Sequence, residues 1–298
     1  MSTILVAGAT GLVGQSLCQQ LRTAGQQVRA LVRATSDPAK VAQLKALGVE
    51  TVQGDVRERA SLDNACQGIT TVISTVSCMP FSYQPGVNDI QTTDLMGCMN
   101  LIEAAKACHV SHFIYTSFSG HMDLDFPLRN AKRAVEHKLK GSGLNYTILR
   151  PSYFMEVWLS PAVGFDAANA KAAIYGRGQN PISWIALQDV AKFAAASVDN
   201  PAAKNATLEL GGPQSLSPLQ VVKLFEQASG RSFEVQYVSE ETLEGQQAGA
   251  TDPMQKSFSG LMRCYALGDA IDMSTTLKAF PIQLETVEEY VKQVLVPA

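Results

Sequence analysis

The sequence is sparing with the residues that build metal and redox centres. Only four histidines and six cysteines occur in 298 residues. No two histidines have the spacing of a zinc-binding helix, so no metal site is expected. Cys18, Cys66, Cys78, Cys98, Cys108 and Cys264 form no Cys-x-x-Cys pair. They are expected to be reduced, mostly buried thiols of a cytoplasmic chain, the alternative being a catalytic or zinc-binding cysteine. Charge is scarce as well, at 17% of residues with a net charge of -3. A nucleic-acid surface needs an excess of positive charge, so no direct nucleic-acid partner is expected. No apolar run reaches about eighteen residues, so a membrane-spanning helix is not expected. Met1 leads straight into a strand-like run with no basic stretch before it, so no secretory leader is expected either.

What is present is a hydrophobic fraction of 46% arranged in a strand and helix rhythm. That length and composition suit a large core and two domains. Thr3–Ala7, Val28–Val32, Glu50–Gln53, Thr71–Thr75, His112–Thr116, Tyr146–Leu149 and Thr207–Leu210 read as strands. Most are unbroken apolar runs, the pattern of parallel strands covered on both faces. Between them lie helical stripes: Val13, Leu17 and Leu21; Leu95, Met99 and Ile102; Val135 and Leu139; Val190, Phe193 and Ala194. The expected fold is α/β, a doubly wound parallel-sheet Rossmann fold of about seven strands. Residues 1–151, with 188–212 returning to them, would form this domain. Residues 152–187 and 213–298 would form a smaller, mainly helical substrate domain with one strand at Phe233–Val238, set over the carboxyl edge of the sheet where such folds bind ligands.

"GATGLVG" follows the first strand and opens a helix. Its glycines, Gly8, Gly11 and Gly14, are spaced three apart. Glycine permits a positive φ and a close backbone approach, and the N–H groups of the first helical turn would face a pyrophosphate. Gly14 would let helix and strand pack tightly. The second strand then lacks what an NAD site usually has, an acid at its end. It ends "ALVRATSDPAK", with Arg33 in that place and no acid before Asp37. A guanidinium suits a 2′-phosphate, with Ser36 and Lys40 as further contacts, so the expected cofactor is NADP(H).

"GATGLVG", "ALVR", "VQGDV", "LIEAAKACHVSHFIYTS", "SGLNYTILRPSYFMEVW", "LQDVAKFAAASVDNP" and "LELGGPQSLSPLQVVKLFEQASG" together resemble the atypical short-chain dehydrogenase/reductase superfamily. The nearest branch is the NmrA-like group, with its isoflavone-reductase-like and quinone-reductase-like members. The resemblance spans nearly the whole chain. It implies pyrophosphate contacts from Thr10, Gly11, Leu12 and Val13. Asp55 and Val56 would sit by the adenine, the carboxylate accepting from the exocyclic amine or, alternatively, capping the helix that follows. Thr75, Val76 and Ser77 would approach the adenosine ribose by backbone. Pro151, Ser152, Tyr153 and Phe154 would flank the nicotinamide, and Asp189 would anchor the helix running through Ala195.

Short-chain dehydrogenases use a Tyr-x-x-x-Lys pair, the tyrosine exchanging the proton. Here Ser117 and Lys132 fit the serine and lysine positions, but Leu128 stands where the tyrosine would be. Leucine transfers no proton. Lys132 would instead bind the ribose and present charge to the substrate oxygen, or act as the base. His121 and Tyr153 are the alternative proton donors. Met79, Phe81, Tyr83, Met155, Trp158 and Trp184, with Phe154, are expected as apolar pocket walls. The expected activity is hydride transfer between NADP(H) and an apolar carbonyl, quinone or enone. The alternatives are an NADP(H)-sensing regulator without catalysis and, third, a nucleotide-sugar epimerase-like enzyme. The partners expected are a small apolar substrate and no membrane, for a monomer or homodimer.

Overall fold

The computed structural model describes residues 3–295, so Met1 lies outside it. In chain order the strands are β1 (Thr3–Ala7), β2 (Gln27–Val32), β3 (Glu50–Gln53), β4 (Thr71–Ser74), β5 (His112–Thr116), β6 (Asn145–Pro151), β7 (Phe165–Asp166), β8 (Lys171–Tyr175), β9 (Ala206–Leu210) and β10 (Glu234–Val238). The helices that matter below are α1 (Leu12–Thr23), α2 (Pro38–Ala46), α3 (Arg59–Ala65), α4 (Cys98–Ala107), α5 (Pro127–Lys140), α6 (Met155–Trp158) and α7 (Leu187–Ala196).

Seven strands form one sheet in the order β3-β2-β1-β4-β5-β6-β9. Every pairing from β3 through β6 is parallel. The reversal of strand order between β1 and β4 is the doubly wound arrangement, and the fold is Rossmann-like. The unbroken apolar runs explain it: β1 and β4 are buried almost throughout. One core cluster joins Leu5, Leu31, Val72, Phe113 and Ile148 of the sheet to Leu101 and Ile102 of α4 and Val135 and Leu139 of α5.

The chain divides into two compact units. The first comprises Met1–Ser117, Asn130–Leu149 and Val190–Leu208, and the second Phe118–Arg129, Arg150–Asp189 and Glu209–Ala298. Segment 118–129, expected in the first domain, thus groups with the second. The second unit also holds a small sheet in the order β10-β8-β7. β10 was anticipated, but β7 and β8 were not: they are short, and they lie in a Pro- and Gly-rich stretch that gives no long apolar run.

Candidate cofactor and catalytic site

In the first unit, the loop after β1 is shaped by two glycines. Gly8 has φ of +84°, and a Cβ there would stand 2.6 Å from Thr75 Oγ1. A Cβ on Gly14 would stand 2.1 Å from the Gly8 carbonyl oxygen, so only glycine lets α1 approach β1 this closely. Gly11 N donates to Gly8 O at 2.9 Å, closing the turn. Gly11 precedes α1 without a side-chain cap, and Leu12 is exposed in the first turn. Val13 is buried against the sheet, while Thr10 lies in the turn. The loop therefore leaves the first backbone N–H groups of a twelve-residue helix without a side-chain cap.

Arg33 follows β2 directly. Its backbone N donates to Ser36 Oγ at 3.0 Å, and Ser36 N donates back to Arg33 O at 3.0 Å. Asp37, the first acid, is used locally: it caps α2 by accepting from Ala39 N at 2.9 Å. Lys40 lies in the first turn of that helix, half-buried. No hydrogen bond or ion pair engages the Arg33 guanidinium among the described residues. An uncommitted guanidinium beside a glycine-shaped cradle fits the phosphate groups of NADP(H).

Asp55 does not cap the helix that follows it. The helix N-cap is Glu58, not Asp55. The Asp55 carboxylate accepts from Arg57 Nε and N, both at 2.9 Å, and from Nη2 at 2.6 Å. Burial pushes its carboxyl up, but the Arg57 hydrogen bonds and charge, with Arg33 nearby, outweigh this and hold it below the usual range. The carboxylate is thus paired with Arg57, with Oδ2 taking a single bond. Val56 is buried against Gly97.

After β4 the chain turns through Thr75, Val76 and Ser77. Thr75 is tied back to the glycine loop, its Oγ1 donating to Ala7 O at 3.2 Å. Ser77 Oγ accepts from Met79 N at 3.2 Å. Lys132, on α5, is 4% exposed, and its Nζ donates to Val76 O at 3.0 Å. The same Nζ lies 3.3 Å from Asp94 Oδ1 and 5.3 Å from the centre of the Tyr115 ring. Ser117 closes β5; its N donates to Leu149 O at 2.8 Å and its hydroxyl lies 3.4 Å from Arg133 Nη1. Met79 and Tyr83 are half-buried in the following loop, and Phe81 is 64% exposed.

In the second unit, His121 Nδ1 lies 3.0 Å from Asp269 Oδ1, which also accepts from Ser119 Oγ at 2.7 Å. The imidazole is half exposed and the carboxylate fully buried. Burial pushes the Asp269 carboxyl up, against the opposing pull of Ser152, Ser119 and His121. Leu128, buried at the start of α5, donates its backbone N to Ser257 Oγ at 3.1 Å. Tyr153 is fully buried, and its hydroxyl donates to Leu261 O at 3.0 Å. It packs edge-on to Trp158 at 4.8 Å and lies within an aromatic cluster with Trp184 and Tyr265. Trp184 is fully buried, its Nε1 donating to Leu216 O at 2.8 Å. Pro151 ends β6, Phe154 precedes α6, and Met155 is sealed in the core. Tyr153, Met155, Trp158 and Trp184 are thus packed side chains of the second unit's interior. An open groove of about 570 Å³ in that unit is lined instead by Arg177, Tyr237 and Glu240. Asp189, expected to cap or anchor this helix, lies inside the first turn of α7, and its Oδ2 accepts from Glu285 N at 2.7 Å.

Residues 1–291 match the NmrA-like family. The chain belongs to that family. It is 30% identical over 282 residues to an NAD(P)H azoreductase of Xenophilus azovorans, covering 93% of this chain and 91% of the relative. It is 32% identical over 234 residues to the photosystem II assembly factor Ycf39 of Trieres chinensis, covering 78% of this chain and 71% of that one. Its fold superposes on the NADPH-dependent quinone oxidoreductase QOR2 of Escherichia coli, solved with NADPH, with a TM-score of 0.79, 25% identity and coverage of 98% and 100%.

Two residues of this NmrA-like chain escaped the sequence reading. Asp94 lies in a helical stretch with no motif to mark it, 38 residues from Lys132. Asp269 is 148 residues from His121 and belongs to no recognisable signal.

Proposed function

We propose that this NmrA-like protein is an NADP(H)-dependent oxidoreductase acting on an apolar carbonyl, quinone or enone. One observation carries the reading. A lysine is held almost fully buried on the backbone carbonyl that follows β4, in the unit that also carries the glycine cradle and the uncommitted Arg33. A solvated helix lysine would not pay the desolvation of its ammonium.

The cofactor, when bound, supplies a hydride. The chain does the rest. The backbone N–H groups after Gly8 hold the pyrophosphate, and Arg33, with Ser36 and Lys40, holds the 2′-phosphate. Thr75, Val76 and Ser77 approach the adenosine ribose by backbone, and Val56 packs beside the adenine. Lys132, fixed on Val76 O, offers its remaining N–H groups to ribose hydroxyls and its charge to a substrate oxygen. Ser117, its hydroxyl next to Arg133, anchors that oxygen. Of the two proton donors expected from the sequence, Tyr153 commits its hydroxyl to Leu261 O in the interior, whereas the imidazole of His121 is half exposed, so the proton transfer is assigned to His121. Asp269 Oδ1, 3.0 Å from Nδ1, orients the His121 ring.

The names of the azoreductase and the quinone oxidoreductase support this class of activity, whereas that of Ycf39 names an assembly factor and no reaction. The test is NADPH consumption by the purified chain with a panel of quinones, enones and azo compounds. Turnover that falls by about 10²-fold in His121→Gln is expected. NADPH binding with no turnover on any acceptor establishes the regulator instead.

A further inference from the structure

We propose that Asp94 is the positioning residue for Lys132, holding the ammonium where it engages the nicotinamide half of the cofactor. This rests on the reading of the first unit as an NADP(H) site.

Asp94 is 0% exposed and sits in an eight-residue π-helical stretch, Ile90–Gly97, that leads into α4. Such wide turns are rare and recur at functional sites. The stretch is fixed at its start by Asp89, which caps it through Thr92 N at 2.8 Å. Asp94 then splits its two oxygens. Oδ2 accepts from Cys78 N at 3.0 Å, which fastens the carboxylate to the segment that carries Val76. Oδ1 stands 3.3 Å from Lys132 Nζ, an ion-pair contact without hydrogen-bond geometry, and has no hydrogen-bond partner of its own among the described residues.

The ammonium is therefore held by one true hydrogen bond, to Val76 O, and by the charge of Asp94. An ammonium carries three donors, so this arrangement leaves donors for ribose hydroxyls while fixing the position of the nitrogen. The other groups facing it supply no counter-charge. Burial pushes the Cys78 thiol far up and the Cys98 thiol up to about 12, and the buried Tyr115 hydroxyl is raised as well. Arg133 and Glu136, one turn along α5, pair with each other at 2.7 Å. A buried ion pair is a weak source of stability, since apolar residues of the same volume serve a core as well. Placement of a charge is what it provides.

The experiment compares binding of NADP+ with binding of 2′,5′-ADP, which keeps the adenine and both phosphates of that half but lacks the nicotinamide ribose. Titration calorimetry is run on the wild type, Asp94→Asn, Lys132→Met and the double variant. Asp94→Asn is expected to weaken NADP+ by about tenfold, as does Lys132→Met, while 2′,5′-ADP binds within about twofold of wild type. The double variant is expected to be no worse than Lys132→Met, because the two residues act as one unit. Asp94→Glu, which keeps the charge but moves it, serves where Asp94→Asn does not fold, and is expected to weaken NADP+ alone in the same way. Unchanged NADP+ binding, equal weakening of both ligands, or additive effects would overturn the role of Asp94. A wild-type chain that binds neither ligand overturns the cofactor reading itself, and with it this proposal.

Discussion

At the scale of single residues, Arg33 carries the choice of cofactor. Its backbone is pinned by reciprocal bonds with Ser36, while the only nearby acid in sequence, Asp37, is turned to capping α2. The guanidinium is then available for a phosphate. Arg33→Ala is expected to weaken NADPH by about 10- to 100-fold and to leave NADH unchanged, since charge-assisted bonds to a phosphate contribute about 1.5–3 kcal/mol. Fluorescence titration with both nucleotides measures it. An equal loss for the two would place Arg33 in the scaffold. Asp55 shows a different case: a residue in a suggestive position whose carboxylate is already paired with its neighbour Arg57.

At the scale of elements, α7 begins on a titratable cap. Glu156 of α6 accepts from Leu187 N with both oxygens, at 3.0 and 3.1 Å. Burial raises its carboxyl to about 7, with Glu285 and Asp189 adding to that and the Leu187 bond opposing it. The folded state thus holds a proton that the unfolded chain releases near the ordinary value of 4.5. The stability this contributes is complete below that ordinary value and is lost as pH rises through about 7. Thermal melts from acid to mildly alkaline buffer are expected to show Tm falling across this window, and Glu156→Gln to flatten the fall. A profile identical in the variant would assign the slope to other groups. Elements were also where the sequence was most legible. Mainly apolar runs bound β1, β2 and β5 to within a residue, because strands buried on both faces carry few polar positions. β7 escaped because two residues carry no periodicity, and β8 because Lys-Ala-Ala-Ile-Tyr has little of the β-branched apolar character that marks a buried strand. The glycine cradle was legible because backbone geometry there depends on the residues themselves. The partnerships Lys132 with Asp94 and His121 with Asp269 were not, because they are made by tertiary folding across long stretches of chain.

At the scale of the whole molecule, the question is what cofactor binding does. A ligand that binds only the folded chain stabilises it by RT ln(1 + [L]/Kd), about 2.7 kcal/mol at a hundredfold excess over Kd. NADPH is therefore expected to raise Tm by several degrees, and NADH at the same concentration by much less. The comparison of NADPH with NADP+ goes further. A regulator that reports redox state responds only through different affinities for the two forms, since a ligand with equal affinity for two states shifts nothing. An enzyme carries no such requirement, because its output is product. Melts with each form, read beside the turnover assay, separate the two readings. Raised Tm with both forms and measurable turnover is the expected result. A large difference between the forms with no turnover on any acceptor would identify a sensor, in which Lys132 and its buried carboxylate distinguish the charged nicotinamide from the reduced one instead of serving a reaction.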